Sequence, residues 1–124
     1  MATISKGITY GTFDALHFGH INLFKRIKKQ VDYLVVYVST DNFNKIKGKK
    51  SYHSYKERKE LVKAISYVDE VRPEKNWKQK YKDIKEVDKM FMGDDWKGKF
   101  NDLNCIYLPR TKEISSTKIR DILK

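Results

Sequence analysis

The stretch GTFDALHFGH, residues 11 to 20, sets His17 and His20 three positions apart, directly after a run that reads as a buried strand. At the start of a helix, imidazoles with that spacing stand one turn apart. A helix N-terminus offers unpaired N–H groups and a partial positive charge, both of which favour phosphate, and Gly19 has no Cβ to hold a ligand away. Two imidazoles there can donate hydrogen bonds to phosphoryl oxygens whose charge rises during transfer, a stabilisation of about 3 kcal/mol in a preorganised site. The same pair also fits a plain helix start, or half of a zinc site for which no cysteine or third clustered histidine supplies the rest.

Further residues could serve the same chemistry. NKIKGKKSYHSYKER carries Lys45, Lys47, Lys49 and Lys50 in a glycine-containing stretch. Such a run is either a solvated surface or a cationic loop that closes over two mutually repelling anions. PRTKEISSTKIR places Arg110 and Thr111 after an apolar run and Ser115, Ser116 and Thr117 at a helix start, as a phosphate cradle or as ordinary caps. In MGDDWKGKF, Asp95 fits either a nucleotide or metal contact or a solvated turn, and Trp96 fits packing.

These residues need a frame. The chain has 124 residues, which predicts one domain over residues 1–124, and its 40% hydrophobic and 13% aromatic content predicts a packed core. A net charge of +11 calls for an anionic partner: nucleic acid, an acidic membrane surface or a phosphorylated small molecule. The single cysteine, Cys105, lies inside the apolar run CIYLP, so no disulfide framework is available and a reducing, cytoplasmic setting is expected. The N-terminal stretch lacks a signal-peptide pattern, and no run approaches the ~18 apolar residues of a membrane span.

DYLVVYVST is the clearest strand, because continuous Val, Leu and Tyr predict burial on both faces. GITYG, EVRPE, KMFMG and CIYLP read as shorter strands, the last closed by Pro109. Between them, INLFKRIKK reads as a helix face, with the helix beginning at His20, and SYKERKELVKAIS as a helix capped by Ser54 and Glu57. NWKQKYKDIKEV reads as a third helix, SSTKIRDILK as a short last one, and the lysine-rich stretch after the strongest strand as a loop. Alternating strands and helices predict a single Rossmann-like α/β domain: a mostly parallel five-stranded sheet with helices on both faces. In such a sheet ligands bind at the carboxyl ends of the strands, here near residues 11–20, 39–50, 74–80, 93–96 and 110–117.

GTFDALHFGH also resembles the H-x-G-H signature of the nucleotidylyltransferase superfamily. ITYGTFD, DYLVVYVSTDNFN, KKSYHSYKERK, YVDEVRPEKNWKQK, MGDDWKGKF and YLPRTKEISSTKI resemble, in order, segments of the glycerol-3-phosphate cytidylyltransferase family, and together they span nearly the whole chain. The resemblance implies a magnesium-dependent transfer of CMP from CTP to glycerol 3-phosphate, giving CDP-glycerol and pyrophosphate. It implies a homodimer, with no nucleic acid partner and no membrane insertion, and a role in teichoic-acid or capsule-like polymer synthesis.

By the same resemblance His17, His20, Lys47 and Arg110 are the catalytic set. Thr12, Phe13, Asp14, Gly19, Lys49, Asp95, Arg110, Thr111, Ser115, Ser116 and Thr117 face the nucleotide, with Arg110 on its β and γ phosphates. Lys47, Lys80 and Trp77 face the acceptor, although Trp77 equally suits a core or dimer contact. No side-chain cluster for a metal stands out, so Mg2+ is expected to arrive with CTP. Two departures bear on the choice of base: Glu113 stands where the family has glycine, and the hydroxyl order Ser-Ser-Thr resembles the adenylyltransferases of the superfamily. A nucleotidylyltransferase using ATP or another phosphorylated alcohol is thus the alternative, and a non-catalytic basic module that binds nucleic acid is a further one.

Overall fold

The computed structural model describes residues 5–93 and 105–108. β1 (Lys6–Gly11) leads through the His17 loop into α1 (Phe18–Lys28), and β2 (Tyr33–Ser39) leads into α2 (Asp41–Ile46) and α3 (Tyr55–Lys63). β3 (Glu70–Glu74), α4 (Gln79–Asp83) with a 3-10 turn at Ile84–Glu86, β4 (Lys89–Gly93) and β5 (Cys105–Leu108) follow. The described strands form one sheet in the order β3-β2-β1-β4-β5, with every pairing parallel. The expected Rossmann-like frame is therefore present, and it is parallel throughout.

Strand alternation sorts the core into two layers. Leu34, Val36 and Val38 of β2 pack with Phe24 and Ile27 of α1, Val62 of α3, and Phe91. Val35 and Tyr37 face the other way, packing with Ile8, Tyr10, Met90 and Met92 and with Ile84 and Val87 beyond α4. Helical segments thus cover both faces. No helix among the described residues is long and apolar enough to cross a membrane. Cys105 sits half-buried on β5, and burial pushes its thiol up to about 11, which makes it a packing residue.

Three helical expectations shift. α1 opens at Phe18, two residues before His20, because His17 itself is the N-cap. The stretch expected to be a loop after β2 contains α2, for which Thr40 supplies the cap by accepting the Phe43 N–H at 3.1 Å. The helix expected from Asn76 to Val87 is confined to Gln79–Asp83 and its 3-10 turn, since Val87 is already extended where the chain feeds β4. The helix read at Ser115 lies outside the described residues.

Candidate active site

The site lies along the carboxyl ends of β1, β2 and β3, as open parallel sheets favour. β1 ends at Gly11, and the chain then turns sharply through Phe13, the one described non-glycine residue with positive φ (53°). A buried phenylalanine tolerates that strained geometry only when its surroundings hold it there. Its ring lies edge-on to His20 and tilted against Phe24, both at 5.4 Å between centroids. It also covers Gly11, where a Cβ would come within 2.6 Å of the ring. Glycine at position 11 is what lets the Phe13 ring fold back over the strand end.

The turn delivers His17 and His20 to the head of α1. His17 Nδ1 accepts the Gly19 N–H at 3.0 Å, and His20 Nδ1 accepts the His17 N–H at 3.3 Å, a reciprocal cap built from imidazoles. With Nδ1 as acceptor, the proton of each neutral ring sits on Nε2, the kind of donor a phosphoryl oxygen accepts from. Burial, reinforced by the adjacent His17 ring, lowers the His20 pKa to about 4, so that ring is neutral at physiological pH. The rings stand 4.1 Å apart.

α2 then orients the lysines. Its C-terminus is closed by a Schellman motif: Gly48, with φ of 71°, donates its N–H to Lys45 O at 3.1 Å, and Lys49 donates to Asn44 O at 2.8 Å. That turn sends the two lysines apart. Lys47 points inward, its side chain 7% exposed, and donates to Ser39 Oγ at 2.7 Å and Thr12 Oγ1 at 3.3 Å; Lys49 is exposed. Burial lowers the Lys47 pKa to about 8; Glu74 opposes the shift, while Lys49, Lys80 and Arg58 add to it.

Thr12 in turn donates to Asn44 Oδ1 at 3.1 Å. Asn44 is buried, and its Nδ2 has no hydrogen-bond partner among the described residues, a donor left for a ligand or solvent to satisfy. Ser39 Oγ, having accepted from Lys47, donates to Glu74 Oε1 at 2.8 Å, and Glu74 Oε2 accepts a close hydrogen bond from Lys80. Lys80 also lies over the rings of Tyr10, at 4.4 Å, and Trp77, at 5.5 Å. Trp77 meets Phe43 edge-on at 5.2 Å, and Lys47 lies over that same Phe43 ring at 4.9 Å. Thr12, Lys47, Lys80 and Trp77 therefore gather in one cluster, whereas Asp14 is engaged elsewhere. Its carboxylate accepts the N–H groups of Tyr52 and His53 at 2.8 and 2.9 Å, which ties the segment after α2 to the His17 loop.

Three members of this site are not singled out by the sequence, Ser39, Asn44 and Glu74, whereas the family resemblance does offer Arg58, with His53, as a secondary phosphate contact. Arg58, 0% exposed, bonds Thr12 O and Ser39 O, both at 2.8 Å, together with His53 O at 3.1 Å and Asp41 at 2.9 Å. One guanidinium thus fastens two strand ends, the start of α2 and the approach to α3. Asp95, Arg110, Thr111, Glu113, Ser115, Ser116 and Thr117 lie outside the described residues.

The arrangement presents imidazole N–H donors, buried lysine side chains and an unsatisfied amide along the carboxyl ends of the strands, a constellation suited to phosphoryl groups. A profile of the cytidylyltransferase-like family matches residues 8–122. The chain belongs to that family. It is 56% identical over 124 residues to the glycerol-3-phosphate cytidylyltransferase of Bacillus subtilis, covering 95% of this chain and 96% of that protein. The enzyme of the same name from Staphylococcus aureus is 52% identical over 122 residues, covering 94% of this chain and 92% of that one. Among solved structures, the lipopolysaccharide core biosynthesis protein from Thermoplasma volcanium superposes with a TM-score of 0.73 at 27% identity, covering 90% of this chain and all of the other. The structural likeness and the family assignment thus agree on the fold.

Proposed function

We propose that this single-domain protein transfers CMP from CTP to glycerol 3-phosphate, forming CDP-glycerol and pyrophosphate. The observation that carries the reading is the 56% identity, running almost end to end, with a glycerol-3-phosphate cytidylyltransferase. The paired imidazoles at the head of α1 are the chemical support for it.

In this reading an oxygen of the acceptor phosphate attacks the α-phosphorus of CTP in line; the new P–O bond forms as the bond to the β-phosphate breaks, and pyrophosphate leaves. The nucleophile is already anionic, so no general base is required, and catalysis consists of alignment and charge stabilisation. His17 and His20 donate from Nε2 to the pentavalent centre, Lys47 draws the two anions together, and Lys80 and Trp77 hold the acceptor. Thr12, Phe13, Asp14, Gly19 and Lys49 shape the nucleotide side, with Asp14 and Phe13 acting through the loop they fix. Asp95, Thr111, Ser115, Ser116 and Thr117 complete that side, and Arg110 grips the departing pyrophosphate.

The described residues form no all-protein cage for Mg2+, an ion that commonly binds through one or two carboxylates together with substrate phosphates. They contain no group of three or more metal-ligating side chains, and both carboxylate oxygens of Asp14 accept backbone N–H groups. The ion enters as the magnesium complex of CTP, and no described residue is assigned to it. By family resemblance the enzyme is a cytoplasmic homodimer supplying CDP-glycerol to teichoic-acid or capsule-like polymer synthesis.

A substrate panel tests the reading. Purified protein with Mg2+, CTP and glycerol 3-phosphate should release pyrophosphate and accumulate CDP-glycerol, resolved by anion-exchange chromatography. Faster turnover with ATP would overturn the base assignment, and faster turnover with another phosphorylated alcohol would overturn the acceptor.

A further inference from the structure

Glu74 has no counterpart in the roles assigned above, yet it is the one described carboxylate at the centre of the buried cation cluster. It ends β3, where the register pairs it with Ser39 of β2 and brings it beneath the end of α2. Its side chain is 3% exposed, as is that of Lys80, and both of its oxygens are engaged. Oε1 accepts from Ser39 and stands 3.9 Å from Lys47 Nζ, while Oε2 pairs with Lys80. Lys47 and Lys80 approach from different elements, one capping α2 and the other inside α4, and Glu74 is the group common to them.

We propose that Glu74 is a positioning residue that holds the ammonium groups of Lys47 and Lys80 as a charged pair, aimed at the phosphate of the acceptor. The inference rests on the acceptor assignment made above. Two buried cations with no counter-ion would repel each other and lose charge to desolvation. One carboxylate between them offsets that repulsion, and the three groups together present a formal net charge of +1 to the incoming phosphate. Its geometry also explains why a chain rich in solvated lysines buries these two.

The groups facing Lys47 are Glu74 on β3, Lys80 on α4, Arg58 on α3 and Lys49 beyond α2, with Ser39, Thr12 and the Phe43 ring supplying uncharged contacts. Among the charged groups only Glu74 favours the ammonium form. Removing its charge therefore lowers the Lys47 pKa further, and the alkaline limb of acceptor use moves to lower pH.

The test is the pH dependence of kcat/KM for glycerol 3-phosphate in the wild type, Glu74→Gln and Glu74→Asp. For the glutamine variant, KM for glycerol 3-phosphate should rise about tenfold with KM for CTP little changed. Its alkaline limb should move down by about one pH unit. The aspartate variant keeps the charge and should keep the limb where the wild type has it, a recovery that loss of packing would not produce. An unshifted limb in a folded glutamine variant, or a rise confined to KM for CTP, overturns the inference.

Should the glutamine variant not fold, the aspartate variant decides, because drawing the carboxylate back by one methylene should still raise KM for glycerol 3-phosphate alone; an unchanged value overturns the inference. Failure of the reaction assignment shows separately, as a wild type that makes no CDP-glycerol. Calorimetry of glycerol 3-phosphate binding at pH 7 and pH 9 then judges Glu74 directly, with weaker binding by the glutamine variant expected and equal binding overturning the inference.

Discussion

In the proposed function, His17 and His20 serve structure and chemistry through different nitrogens. Each Nδ1 closes the head of α1 as an acceptor, which places the proton of each neutral ring on Nε2, a hydrogen-bond donor. His17→Ala and His20→Ala should each lower kcat by about two orders of magnitude, measured as pyrophosphate release. The His17 variant should also lose about 1 kcal/mol of stability with its cap, measured by chemical denaturation. The low pKa of His20 gives a second expectation. Its value near 4 in the folded chain lies below the ordinary 6.5, so between those two pH values the unfolded chain binds the extra proton. Stability from this group is fully present above pH 6.5 and drains away as pH falls toward 4. The melting temperature should therefore drop across that window, and should drop less in His20→Asn, whose Oδ1 can still accept the His17 N–H.

What the elements contribute is direction. α2 is only six residues long, yet Thr40 starts it and Gly48 stops it, and the stop decides that Lys47 faces inward while Lys49 faces out. Phe13 and Gly11 do the same for the end of β1, where one ring lies over the position a Cβ would fill. Arg58 joins these pieces, since its planar fork reaches carbonyls on three segments and Asp41 on a fourth. Lysine has the charge without the fork. Arg58→Lys should cost about 3 kcal/mol in chemical denaturation, because buried carbonyls lose their donor. It should lower kcat as well, since the Thr12 loop and the Ser39 strand end are no longer fixed to each other.

Across the whole molecule the dominant feature is the net charge of +11. A field of that sign concentrates CTP and glycerol phosphate near the protein, an effect set by the Debye length, which falls from about 30 Å at 0.01 M salt to about 8 Å at 0.15 M. kcat/KM for CTP should accordingly fall severalfold over that range, with kcat at saturating substrate nearly unchanged, as steady-state rates at several NaCl concentrations would show. The Lys47, Glu74 and Lys80 cluster is shielded from bulk ions by burial, so its contribution to kcat should resist the same salt.

Local pattern alone was enough to read the alternation of strands and helices, the burial of β2, the Ser54 and Glu57 cap of α3 and the seating of the histidine pair at a helix start. Each depends on neighbours within about one helical turn or along one strand. The signals for α2 were also local, Thr40 before and Gly48 after, but the lysine density between them reads as solvated loop. The burial of Glu74 and of Arg58 was beyond such reach. In the sequence, one is an acid between Pro73 and Lys75, and the other is one more charge in a polar helix start. Only the pairing of β3 with β2 sets Glu74 against Ser39, and only the convergence of two strand ends with α2 and the approach to α3 leaves Arg58 fully enclosed. Burial and charge pairing are properties of surfaces brought together from distant parts of the chain, so they are decided by tertiary packing; the residue types that can survive there are all that the linear order specifies.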